Sequence, residues 1–245
     1  MKLKSYAAVT HQGPHLETNE DGYDFDLDHQ FFFVLDGFGG TGIGDRAVTK
    51  LKEDLKGFLS QLADDPDATM PLYWSSRWLL EGNALANAMI NAHQALHKEN
   101  SSKSLNHRAG ASAACAIKAD DILVLSQVGG CQAYLARHGN VEALFVPDTH
   151  QYLSHDPHAA GALRAPVGAF GCFPELSWHM REVRLQEGDQ FIFLTEGVAP
   201  WLSPQEIAHT LSKSGEDAHQ KLNGLLKLSN SRGNTANQTG MILEF

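Results

Sequence analysis

The chain has 245 residues, 42% of them hydrophobic, and a formal net charge of −10. That length supports a substantial buried core in one large domain or two small ones, and the composition excludes a disordered or collagen-like chain. An acidic chain without a Lys/Arg run is not expected to bind nucleic acid or an anionic membrane surface.

Three cysteines, Cys115, Cys131 and Cys172, are odd in number, widely spaced and outside any C-x-x-C pair, which argues against a disulfide framework or a cysteine zinc site. The N-terminal "MKLKSYAAVTHQGPH" has no apolar leader, and no stretch approaches about 18 apolar residues. A soluble, cytoplasmic protein with no membrane partner is expected.

In chain order, Ser5–Thr10 predicts an opening strand. Gly22–Leu27, the turn "DLDHQ" and the dense β-favouring run Phe31–Leu35 predict a hairpin. From Gly44 the period changes. Ala47, Val48, Leu51, Leu55, Phe58, Leu59 and Leu62 share one helical face, "ADDPDATMP" ends it, and a second helical pattern runs from Trp78 to Leu96. Ala113–Ile117, Ile122–Val128, Gln132–Ala136 and Val141–Phe145 read as an antiparallel meander. Residues 147–178 are rich in His, Pro, Gly and Ala and read as a long, irregular, flap-like segment. A strand at Gln190–Thr195 follows, then a helix capped by Ser203 with Pro204 at its first position, a helix near Asp217–Leu228 and a closing strand at Met241–Phe245. The economical reading is a single α+β domain over residues 1–245, with antiparallel sheets covered by helix pairs.

The stretch "VLDGFGGTGIG" ends a strand in Asp36 and places five glycines in the next eight positions. Gly37-Phe38-Gly39-Gly40-Thr41-Gly42 spells G-x-G-x-x-G between a strand and a helix, where a dinucleotide fingerprint would sit. A Rossmann unit needs a second strand after that helix, and here another helix follows. Asp36 would also face a pyrophosphate with negative charge, and no G-K-[ST] completes a P-loop. Two readings remain: a glycine loop that lets backbone pass close to a neighbour, or a cation site. Hairpin pairing would bring Glu20 and Asp21 beside Asp36, and clustered carboxylates suit Mg²⁺ or Mn²⁺.

The order of motifs then resembles the metal-dependent protein serine/threonine phosphatases, the PPM or type 2C family, in its short bacterial form. The motifs are "NED" at 19–21, "VLDGFGGTGIGDRAV" at 34–48, "GASAACAI" at 110–117, "VGGCQAYLARHGNVEAL" at 128–144, "GDQFIFLTEGVAPWLSPQEI" at 188–207 and "NQTGMILEF" at 237–245. The resemblance covers essentially the whole chain. It implies a four-layer αββα sandwich, two antiparallel sheets flanked by helix pairs. It further implies two Mg²⁺ or Mn²⁺ ions that share a bridging aspartate and activate a water against a phosphoserine or phosphothreonine.

Carried over by motif, Asp36 is the bridging carboxylate and catalytic residue. The Gly37 carbonyl, Glu20 and Asp21 serve one ion, and Glu196 stands where the family has a ligand aspartate. Glu196 is thus one methylene longer than the pattern's residue, and further positions depart from it. Gly130 replaces the aspartate of V-G-D-S-R, Gln132 its arginine, and Ala236, before Asn237, the aspartate of the last motif. The phosphate-gripping arginine before the first acidic motif would fall near His15 or Leu16, and neither is arginine. Among the 13 histidines, His150, His155 and His158 could supply a substitute ligand, although their spacing is no recognised zinc pattern.

The departures predict one bound ion or none rather than two. Two functions stay open. One is a pseudophosphatase, with weak or no turnover, serving as a regulatory or protein-binding module. The other is an active Mg/Mn-dependent phosphatase acting on phosphoproteins.

Overall fold

The computed structural model describes residues 1–39, 42–65, 69–150 and 165–245. Ten strands are described: β1 (Ser5–His11), β2 (Asp21–Asp26), β3 (Phe31–Gly39), β4 (Ala109–Ala119), β5 (Ile122–Val128), β6 (Gln132–Arg137), β7 (Asn140–Ala143), β8 (His179–Arg184), β9 (Gln190–Leu194) and β10 (Gln238–Glu244). Four α-helices are described with them: α1 (Gly44–Asp64), α2 (Leu80–Ser101), α3 (Pro204–Leu211) and α4 (Ala218–Ser231). The strands form two five-stranded antiparallel sheets, ordered β1-β10-β9-β6-β7 and β2-β3-β4-β5-β8. The helices cover their outer faces, so the expected four-layer α+β sandwich is the fold.

Strand β3 shows why the run "FFFVL" is apolar at every position. Side chains alternate across a strand. Phe31, Phe33 and Leu35 pack under α1 and α2 with Leu51, Leu55, Leu85 and Met89. Phe32 and Val34 face the other sheet, among Ala133, Leu135, Phe191, Phe193, Met241 and Phe245. A central strand buried on both faces has no polar side to present. The second helix pair repeats the arrangement, with Ile207, Leu211, Leu222 and Leu225 against Ile192, Leu194 and Ile242. Ser203 and Asp217 head α3 and α4 with reciprocal capping boxes through Glu206 and Gln220.

The expected meander divides between the sheets. β4 and β5 pair in one, β6 and β7 in the other, and Gly129-Gly130 carries the chain across. Gly129 has φ +70°, and a Cβ there would lie 2.4 Å from Ser112 Oγ, so the crossover requires glycine. Local turn signals cannot distinguish a hairpin from a change of sheet. The second helix begins at Leu80 rather than Trp78, because buried Asn83 and Asn87 bond the backbone of residues 72–79 and hold it out of the helix, with a turn in which the Trp78 N–H donates to Ser75 O at 3.3 Å. Strand β8 went unforeseen. It joins the edge of its sheet beside β5, with a half-exposed, charged pattern that carries little periodic signal.

Of the segment 147–178, residues 151–164, with His155 and His158, lie outside the described residues. The described ends carry two isolated bridges. Thr149 bridges Pro166, and Phe170 is buried in the α1/α2 layer, its N–H donating to Ala111 O at 2.9 Å. His150 is exposed.

The turn between β2 and β3 is closed by an ion pair. His29 Nδ1 lies 2.9 Å from Asp26 Oδ2, and Asp26 Oδ1 accepts from the Asp28 and His29 amides. The hydrogen bond and charge of Asp26 raise the His29 pKa above its ordinary 6.5. The turn's gain from a charged His29 is therefore complete below pH about 6.5 and lost as pH rises through the raised value. An NMR titration is expected to place the His29 midpoint above that of a free histidine, and Asp26→Asn to return it.

Candidate metal centre

The acidic residues meet at one end of the sandwich, where β2 begins beside β3, β9 ends and β10 begins. Asp21 and Asp36 are direct partners in the β2–β3 register. That puts two carboxyls on one face of neighbouring strands, at a pair spacing of about 5 Å between Cβ atoms.

Each has a further anchor from the opposite sheet. Thr195 Oγ1 accepts from the Thr239 N–H at 2.8 Å and gives its own proton to Asp21 Oδ2 at 2.8 Å. The Glu196 N–H donates to Asp36 Oδ2 at 2.9 Å. Burial first, then the charge of Asp36, pushes the Asp21 carboxyl well above the usual range. Burial also pushes Asp36 up to about 6, opposed by the Glu196 amide and by a hydrogen bond with Asp21. Two like charges in a desolvated bed resist joint ionisation, and a cation would relieve them.

Glu20 sits at the rim. Its Oε1 accepts from the Gly44 N–H at 2.7 Å, so it caps α1, whose own N-cap residue Ile43 offers no side-chain cap. Its backbone N–H donates to Asn237 Oδ1 at 3.0 Å. Asn237 Nδ2 donates to Gln12 O at 2.8 Å and Thr18 O at 2.9 Å. Asn237 is thus a clamp that holds the acidic segment against β10, a task its sequence position did not announce.

Gly37 lets three backbones converge. A Cβ there would lie 2.3 Å from Glu20 O and 2.7 Å from Gly44 O. Gly40 and Thr41 lie outside the described residues.

The departing positions fall around this bed. Gly130 lies at the crossover, where its N–H donates to Ser112 Oγ at 3.1 Å. A Cβ on it would meet Glu196 Oε2 at 2.8 Å, so the Glu196 carboxylate lies against Gly130. Ala236 is exposed and contributes its carbonyl to Asn234 Nδ2 at 2.9 Å. His15 and Leu16 are exposed in the loop after β1. Gln132 is buried in β6, bonded to Cys131 O. Cys131 is fully buried, and burial with the nearby charges of Asp36 and Asp21 holds its thiol protonated, which removes it as a nucleophile. Among the described residues, no group of three or more His, Cys, Asp or Glu is placed to hold a metal ion.

Thr195 and Thr239 were missed from the sequence. Each looks like an ordinary strand threonine, and only the β9–β10 pairing puts them under Asp21.

The family model for Protein phosphatase 2C matches residues 17–233, and the chain belongs to that family. Solved structures agree in fold over nearly the whole length. PppA, a key regulatory component of T6SS in Pseudomonas aeruginosa, is 20% identical with a TM-score of 0.78, covering 99% of this chain and 98% of that one. The Mycobacterium tuberculosis serine/threonine phosphatase PstP/Ppp is 19% identical, with a TM-score of 0.78 and 98% of each chain covered. The catalytic domain of PstP in complex with two manganese ions is 19% identical with a TM-score of 0.75, covering 98% and 97%. No curated protein matches the chain by sequence. No helix among the described residues is long and apolar enough to cross a membrane.

The close approach at Gly37 makes a sharp expectation. Gly37→Ala should lower stability by about 1–3 kcal/mol through overpacking, read from the urea midpoint.

Proposed function

We propose that this chain is a PPM-type phosphatase-like protein with an eroded metal centre, working as a regulatory or protein-binding module with weak or no turnover. The observation that carries this reading is Ala236. It stands beside the clamp residue Asn237, where the family pattern supplies a carboxylate, and it has no side-chain donor. Glu196, the other residue of that half, has its carboxylate against Gly130.

The donors present suit one hard divalent cation better than two. Asp36 and Asp21 form a desolvated, cation-seeking pair, with the Glu20 carboxylate at its edge. When bound, such an ion supplies Lewis acidity and a more acidic water. The chain's own residues orient the carboxyls: Thr195 holds Asp21, the Glu196 amide holds Asp36, and Asn237 holds the segment bearing Glu20. The expected partners are a regulatory protein or a phosphoprotein, which the regulatory role of PppA parallels. The second reading, an active Mg/Mn-dependent phosphoserine/phosphothreonine phosphatase, is favoured by the survival of the Asp21–Asp36 pair.

Hydrolysis of p-nitrophenyl phosphate with Mn²⁺ or Mg²⁺ separates them. Turnover is expected to lie about 10²–10³-fold or more below that of an intact relative, the cost of one lost electrostatic partner. Metal-dependent turnover near a relative's, abolished by Asp36→Asn, would refute the proposal. Ala236→Asp is expected to raise both Mn²⁺ affinity, by isothermal titration, and turnover. No gain in either would mean that this position does not limit the site.

A further inference from the structure

Helix α2 grips Gly171, in the chain leading back to β8, by both of its backbone polar groups. The Gly171 N–H donates to His93 Nδ1 at 3.2 Å. Asn100 Nδ2 donates to Gly171 O at 2.9 Å and to Ala109 O at 2.7 Å. His93, Leu96 and Asn100 are buried and share one face of the helix. Gly171 has φ +75°, and a Cβ there would lie 2.5 Å from Leu96 Cγ, so this seat requires glycine. The gripped chain reaches the crossover. The Phe170 N–H donates to Ala111 O of β4, and Gly168 O packs where a Cβ on Gly129 would lie 2.6 Å from it.

The acceptor in this seat is an imidazole that is 2% exposed. Accepting at Nδ1 requires the neutral ring with its proton on Nε2. Burial pushes the His93 pKa below its ordinary 6.5. The Pro174 and Phe173 carbonyls lie near enough to oppose the shift in part, but Nε2 reaches neither in hydrogen-bonding geometry. His97, stacked one turn on with its ring 5.9 Å away, lowers the value further. Among the described residues no carboxylate acts on the ring. The gripped chain brings Cys172, whose thiol burial holds protonated, and β4 brings only Ala109, Gly110 and Ala111.

We propose that His93 is a pH-sensitive latch: the neutral ring holds Gly171 on α2, and the protonated ring, now a donor at Nδ1, faces the Gly171 N–H donor to donor and lets the Phe170–Pro174 stretch go. The hold is complete above the free-histidine value of about 6.5 and is lost as pH falls from there toward the lowered value of the docked ring. Because the gripped chain packs on Gly129, acid loosens the wall beside the crossover. The latch does not depend on whether the metal centre turns over.

The test is amide hydrogen exchange of the full chain in EDTA, read by NMR at the Phe170 and Gly171 amides and corrected for the intrinsic effect of pH. Protection is expected to be level down to pH about 6.5 and then to fall by up to about tenfold per pH unit, while the β3 amides keep theirs. His93→Gln, which retains an uncharged acceptor, is expected to remove that dependence. Asp36 titrates at about 6, in the same range. A loss of protection that persists in His93→Gln would therefore belong to the acidic bed and overturn the latch. The ring nitrogen shifts of the parent protein need no variant. They should show the proton on Nε2 at pH about 8 and a midpoint below about 6.5. A proton on Nδ1 at that pH, or a midpoint above 6.5, would equally overturn it.

Discussion

The structure turns on two carboxyls held opposite each other across antiparallel strands and shut away from water. Asp21 and Asp36 are register partners, and like charges directly opposite are unfavourable in a sheet. Burial worsens the cost and lifts both carboxyls above their ordinary range. Such an arrangement persists only where the surroundings over-determine it. Here the surroundings are hydrogen bonds from the other sheet, Thr195 to Asp21 and the Glu196 amide to Asp36. The acidic end is therefore one place where the two sheets are tied to each other by polar bonds, at the mouth of an apolar interior of Phe32, Val34, Phe191, Phe193 and Met241.

That tie explains the glycines. Gly37 admits Glu20 and Gly44 backbone, Gly129 admits Ser112, and Gly197 admits Asn237, whose carbonyl would lie 1.8 Å from a Cβ there. Close approach of backbones lets short side chains reach across the gap. Gly37, directly after Asp36, lets chains pass close, one of the two readings its sequence allowed.

Much of the fold was legible because its signals are local. The dense β-favouring run of β3, the helical stripe of α1 and the cap at Ser203 each need only a few neighbouring residues. The failures lie beyond the reach of a local turn or period. The change of sheet at Gly129-Gly130 and the edge strand β8 depend on partners far away in the chain, and the non-helical stretch before α2 depends on Asn83 and Asn87, 8 to 15 residues further on. Within the site, the pairing of Asp21 with Asp36 followed from the hairpin alone. The clamp at Asn237 did not, since it joins residues more than 200 positions apart.

The sequence by itself determined the layers, the hairpin that sets Asp21 against Asp36 and the motif order that marks the phosphatase 2C family, because periodicity, turn chemistry and motif spacing act over short distances. It also determined which side chains are absent, Gly130 and Ala236 among them. Only the tertiary structure decided what occupies the vacated space. The Glu196 carboxylate lies against Gly130, and Thr195, Thr239 and Asn237 hold the acidic bed, because strands remote in sequence are brought within hydrogen-bonding distance. A side chain's function depends on which atoms it can reach, and that is set by the packing of both sheets together.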